Sequence, residues 1–142
     1  MVRKGAKVLD LSTEASRRFE RDTDMDGIIP AINQLATLIV EVAGGKICKG
    51  VVDEYPAEKM QRTIDFSIEQ CEALLGTHIP KDKIENIFVS LQITHTKQNG
   101  SFQCIIPSFR NDLEREVDLY EEVARVIGYN NIPSSAQFTG SY

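Results

Sequence analysis

Histidine is scarce in this sequence, cysteine is sparse, and no apolar run is long. The two histidines, His78 and His95, have no cysteine or carboxylate at ligand spacing, so a closed zinc set or a histidine-based triad is not expected. The three cysteines, Cys48, Cys71 and Cys104, are odd in number and widely spaced. That suits reduced thiols in a cytoplasmic protein rather than a disulfide framework. No activating neighbour marks any of them as a nucleophile. The longest apolar stretch, Leu35 to Ala43, is interrupted by Thr37 and Glu41 and falls far short of a membrane span. The basic N-terminus (Arg3, Lys4, Lys7) is not followed by the apolar core of a secretory signal. Gly44-Gly45-Lys46 lacks the rest of a phosphate-binding loop, and Asn99-Gly100-Ser101 reads as a chance glycosylation match in a turn.

What is present is an ordinary globular composition of 142 residues, 42% hydrophobic and 26% charged, with net charge −5. The charge is unevenly spread. Residues 1–21 carry six basic side chains (Arg3, Lys4, Lys7, Arg17, Arg18, Arg21) against three acidic ones. From totals of 16 basic and 21 acidic, the remainder keeps 10 and 18. Most of the surface therefore repels a polynucleotide, with the N-terminal segment as the exception.

The patterning predicts an α+β, helix-rich fold. Ser12 is placed to cap a helix running to about Arg21. Ile28, Ile32, Leu35, Ile39 and Val42 mark one face of a second helix, with Pro30 in its first turn and Gly44-Gly45 as its stop. Residues 46–60, with Pro56, read as a connection. Thr63–Phe66 reads as a strand, and Ser67 with Gln70 as a capping box for a short helix stopped by Gly76. Pro80 opens a helix with Ile84, Ile87, Phe88 and Leu91 as its stripe. Ile93–Lys97 and Phe102–Ile106 form a hairpin around Gln98-Asn99-Gly100, and a last helix runs from about Glu116 to Ile127, stopped by Gly128. The expected organisation is a helical segment over 1–45, a connection over 46–60, a winged-helix-like module (β-α-α-β-β-α) over 61–134 and a tail over 135–142. That order alone decides no function.

The last helix carries the chemistry. With Val117 at zero and about 100° per residue, Glu121, Arg125, Asp118 and Glu122 fall at about 40°, 80°, 100° and 140°. Val126, Leu119, Val123, Ile127, Tyr120, Ala124 and Val117 fill the rest. Asp112 lies just upstream. Asp118 and Glu122, four apart, repel each other, a penalty that a hard divalent cation would reverse. The same acids also suit a solvated face near the positive end of a helix dipole, with Arg125 pairing Glu121. Spacing alone leaves both readings open.

The stretch Pro107-Ser108-x-Arg110-x-Asp112, then Glu116-x-Asp118-Leu119-x-Glu121-Glu122-x-Ala124-Arg125 and Gly128-Tyr129-Asn130-Asn131-Ile132-Pro133, resembles the fifth domain of the beta subunit of bacterial phenylalanine–tRNA ligases. Ser12-x-Glu14-Ala15-Ser16-x-Arg18-Phe19-Glu20-Arg21 is similar to the segment before that domain, so the resemblance covers nearly the whole chain. It implies a parent enzyme of two alpha and two beta subunits that joins phenylalanine to its tRNA with ATP, catalysis residing in the alpha subunit. It also implies magnesium on Asp112, Asp118, Glu121 and Glu122, at a site shared with the alpha chain. No catalytic motif of a class II synthetase is present, so the chain is expected to be an inactive fragment that meets tRNA only through its parent complex. The rival expectation is a nucleic-acid binder, either a DNA regulator or a tRNA contact through the basic N-terminal segment. Two stretches depart from the family: Asp22-Thr23-Asp24-Met25 stands where Gly-Val-Asp-Pro is usual, and Ser90-Leu91-Gln92 where a small residue or Leu-Gly is usual.

Overall fold

The computed structural model describes residues 2–21, 23–55 and 61–133. Pro56, Asp22 and the predicted tail lie outside the described residues. The chain divides into two units: Met1–Met60 with Ser108–Asn111, and Gln61–Pro107 with Asp112–Tyr142.

The first unit is helical. α1 (Val2–Val8) has no counterpart in the sequence patterning, and its Arg3 pairs with Glu20 of α2 (Glu14–Glu20). The cap of α2 is Thr13 rather than Ser12. The Thr13 hydroxyl accepts from the Ser16 amide at 3.1 Å, and the Ser16 hydroxyl accepts from the Thr13 amide at 2.9 Å. A reciprocal box needs a polar side chain three residues on, and from Ser12 that position is Ala15. α3 (Ile28–Ala43) has the predicted face and ends at Gly44, whose φ of 73° suits glycine. None of the residues of α1, α2 or α3 is buried.

The second unit holds the core, in the predicted order. β1 (Thr63–Ser67) is followed by α4 (Ile68–Leu75), α5 (Lys81–Ser90), β2 (Thr94–Gln98), β3 (Ser101–Ile105) and α6 (Glu116–Ile127), then a 3₁₀ turn at Tyr129–Asn131. The sheet is antiparallel in the order β1-β3-β2, with Phe66 opposite Phe102 and Ile64 opposite Cys104. The period-2 alternation sends these four side chains to the covered face, where all are buried. Phe88 of α5 meets Phe66 and Phe102 edge-on, with ring centroids 5.1 and 5.7 Å apart, and Tyr120 of α6 meets Phe66 at 5.2 Å. Each such ring stabilises the fold by about 1.5–3 kcal/mol through burial alone. The hairpin turn is tighter than expected, because Gln98 pairs with Ser101 and leaves only Asn99-Gly100 between the strands.

Half of the Ser67–Gln70 box forms, since Gln70 donates to the Ser67 hydroxyl at 3.3 Å. The Ser67 amide goes instead to Glu116 Oε1 of α6, at 2.6 Å. The same oxygen accepts the Tyr120 hydroxyl, so one carboxylate ties the β1–α4 joint to α6.

Candidate functional site

Three anchors set the start of α6. Leu113 is buried, its carbonyl accepts from Arg62 Nη1 at 2.9 Å, and Glu116 reaches the Ser67 amide. Asp118, in the first turn, folds back on the approach. Its Oδ2 accepts the amides of Glu114 (3.0 Å) and Arg115 (2.8 Å), and its Oδ1 pairs with Arg115 Nη2 at 3.2 Å. The Glu114 and Arg115 amides, followed by the Arg115 guanidinium, hold its carboxyl below the ordinary range. A carboxylate offers about four lone-pair sites, so roughly one remains on Oδ1.

The other three carboxylates differ among themselves. Asp112 and Glu121 are exposed. Glu122 is buried at 8% exposure and pairs with Arg125 three residues on. The expected pairing of Arg125 with Glu121 is therefore replaced by one with Glu122, a neighbour that needs a counter-charge more because water reaches it less. The apolar arc is also narrower than the wheel drew it. Leu119, Tyr120, Val123 and Ala124 are buried, whereas Val117 and Val126 stand more than two-fifths exposed.

Among the described residues, no group of three or more His, Cys, Asp or Glu side chains is arranged to hold a metal ion. The donors nevertheless suit magnesium in kind, as hard carboxylate oxygens. Two of them already carry cationic groups, Arg115 on Asp118 and Arg125 on Glu122.

The remaining candidates resolve into structural roles. His78 pairs with Glu72 at 2.6 Å, and the Glu72 carboxylate also accepts the Ile79 amide. His95 packs against Phe88 and Phe102. Cys71 and Cys104 are buried. Desolvation first, then the Glu72 and Glu116 charges, pushes the Cys71 thiol up to about 11. Desolvation and then Asp65 push Cys104 to about 12. Neither supplies thiolate at neutral pH. Cys48 is exposed. Tyr120 is a core residue, whereas Tyr129 is exposed. Glu116 and Arg62, which position the helix, escape a sequence reading because their partners lie about 50 residues away. In the first unit an open cleft of about 760 Å³ is lined by Glu14, Arg17, Arg18, Arg21, Thr23 and Asp24, among others.

The region built from β1 to the turn after α6 has known counterparts. Residues 64–129 match the tRNA synthetase B5 domain. This part of the chain belongs to the B5 family. The B5 domain and the segment before it are together similar to phenylalanine–tRNA ligase beta subunits. The subunit of Geobacter metallireducens is 44% identical over 133 residues, 93% of this chain. Those of Geobacter sulfurreducens and Protochlamydia amoebophila are each 42% identical, over 135 and 134 residues. The chain spans about 17% of the length of these curated relatives. No helix among the described residues is long and apolar enough to cross a membrane.

Proposed function

We propose that this chain is a non-catalytic assembly segment of a phenylalanine–tRNA ligase beta subunit. In this reading the acidic side of α6 faces the catalytic alpha subunit in a cytoplasmic complex of two alpha and two beta chains. The parent enzyme attaches phenylalanine to its tRNA with ATP, and the segment alone is inactive. The observation that carries the reading is the division of α6: Leu119, Tyr120 and Val123 are spent on the core, while Asp118, Glu121 and Glu122 lie along the other side with Asp112 just ahead. Glu121, Glu122 and Asp112, with the last lone pair of Asp118, are the groups that would hold magnesium at the interface. Bound there, the ion neutralises like charges and draws in oxygens from the opposing chain.

The test is sedimentation of the chain with its cognate alpha subunit, in magnesium and in chelator, for wild type and for Glu121→Gln with Glu122→Gln. Those two positions leave the hydrogen bonds of Asp118 to the Glu114 and Arg115 amides intact. Magnesium-dependent association that the double variant loses is the expected result. Association indifferent to both chelator and variant overturns it. Should the interface require the rest of the beta subunit, the same pair of variants is read in the intact enzyme.

A second reading is favoured by the arginine-lined cleft of the first unit, where Arg17, Arg18 and Arg21 come together. There the segment contacts tRNA phosphates. A salt titration of tRNA binding decides it, because phosphate contacts release counterions and affinity must fall as salt rises. A DNA-reading role for α5 is less well supported: Lys81 lies over the Phe102 ring, and Lys97 on the hairpin is paired with Glu85 at 2.9 Å.

A further inference from the structure

Arg17, Arg18 and Arg21 lie within about 100° of one another around α2 and its C-terminal cap, and all three line the open cleft of the first unit. Their side chains are exposed and make no ion pair or hydrogen bond among the described residues. Like charges gathered in this way repel, and an oxyanion is the group that reverses the repulsion. Two acids share the cleft, Glu14 and Asp24. Asp24 is held away from the arginines. Its Oδ1 accepts the Ser108 hydroxyl at 2.6 Å and the Asp26 amide at 3.1 Å. Its Oδ2 lies over Gly27, where a β-carbon would stand only 2.6 Å away. Ser108 belongs to the stretch Ser108–Asn111, which is part of the first unit although Ser108 lies 84 residues beyond Asp24.

We infer that Arg17, Arg18 and Arg21 together hold a phosphate group, and that Ser108 is the positioning residue that keeps the Asp24 carboxylate off them. The inference rests on the arginine-cleft reading and adds to it a discrete site and a residue that keeps it open. A guanidinium presents a planar fork of donors that matches phosphate and carboxylate alike. Asp24, once released, therefore competes with the ligand for the same arginines. The cleft, at about 760 Å³, has room for a phosphate together with the group it is esterified to. A polynucleotide and the free ion offer the same oxygens, so both serve as probes.

The experiment is an NMR titration of the isotope-labelled chain, following the arginine side-chain N–H signals, with sodium phosphate at constant ionic strength and separately with tRNA. The proteins are wild type, Ser108→Ala, Ser108→Thr, Ser108→Ala with Asp24→Asn, and Arg17→Gln with Arg21→Gln. Ser108→Ala should weaken phosphate binding by roughly twofold to fivefold, the worth of an exposed ion pair gained by Asp24. Ser108→Thr, which keeps the hydroxyl, should stay near wild type. Adding Asp24→Asn to Ser108→Ala should restore binding, because a neutral amide is a much weaker partner for a guanidinium. Damage to the loop alone would not be repaired in that way. The paired arginine variant should lose binding altogether. If the free ion leaves the signals unmoved and tRNA shifts them, the ligand is a polynucleotide, and the same order of variants is required with tRNA. Unchanged binding in Ser108→Ala, beside loss in the paired arginine variant, overturns the role of Ser108 and leaves the arginine-cleft reading standing. Weakening that Asp24→Asn does not relieve overturns that role too. No response of the arginine signals to either probe overturns both.

Discussion

α3 and α6 are equally regular as patterns, yet they have opposite fates. α3 carries Ile28, Ile32, Leu35, Ile39 and Val42 on one face, and every one of them is at least two-fifths exposed. α6 carries Leu119, Tyr120, Val123 and Ala124, and all four are buried. The difference lies in the partners that each helix finds within its own unit. α6 closes over a three-stranded sheet, whereas the described residues of the first unit form three helices and no sheet. Periodicity reports that a helix has a side to hide. It says nothing of whether the same stretch of chain supplies the cover.

The sharpest way to break this comparison is a pair of truncations. Phe66→Ala, which empties the centre of the aromatic cluster, should cost about 3–5 kcal/mol. Leu35→Ala, a comparable loss of side chain on α3, should stay within about 0.5 kcal/mol in this chain. Urea unfolding followed by circular dichroism measures both, and a large loss at Leu35 would show that α3 is covered after all.

A smaller effect concerns acid. Because the folded state holds the Asp118 carboxyl below its ordinary value of 3.8, the stability this group confers is present above about pH 4 and is lost as pH falls through the folded value. Asp118→Ala, which removes the N3 carboxylate that reaches back to the amide of the N-cap Arg115, should cost about 1 kcal/mol at neutral pH and should flatten the acid limb of the stability curve. An unaltered acid limb would show that the carboxylate does not secure the start of the helix.

The smallest expected change is a gain. Gln92 sits at φ 59°, a left-handed position that favours glycine, where the Ile93 amide closes the end of α5 on the Phe88 carbonyl at 2.8 Å. Gln92→Gly should raise stability by roughly 0.5–1 kcal/mol, read as a shift in the urea midpoint without a change in slope.

The order of elements in the second unit, the ends of α6 and the stripe of α5 were legible because each depends on neighbours within four residues, whereas α1 was not. Gly44, Gly76 and Gly128 marked the helix ends for the same reason. At the site, the wheel separated Asp118, Glu121 and Glu122 from the apolar arc correctly in angle. It could not say which side chains are covered, because Glu122, at about 140°, is buried while Val126, at about 180° and nearer the apolar arc, is 44% exposed. The cover over Glu122 also goes with a different partner for Arg125 than its spacing from Glu121 suggested. The roles of Glu116 and Arg62 were illegible for another reason, since a hydrogen bond to an amide 49 residues away leaves no local trace.

That one bond also bears on how the domain comes into being. The β2–β3 hairpin closes across two residues and can form as soon as both strands exist. β1 must find β3 across a far longer loop, pairing Thr63 with Ile105, and closure of such a loop is entropically uphill until side chains pack. Even then the first amide of the β1–α4 joint waits for Glu116, which arrives only with the final helix. Loop-closure entropy alone therefore favours the hairpin over the β1–β3 pairing as the earlier contact. The helix that presents the carboxylates is the same one that completes the fold, so the acidic face appears only on a finished domain.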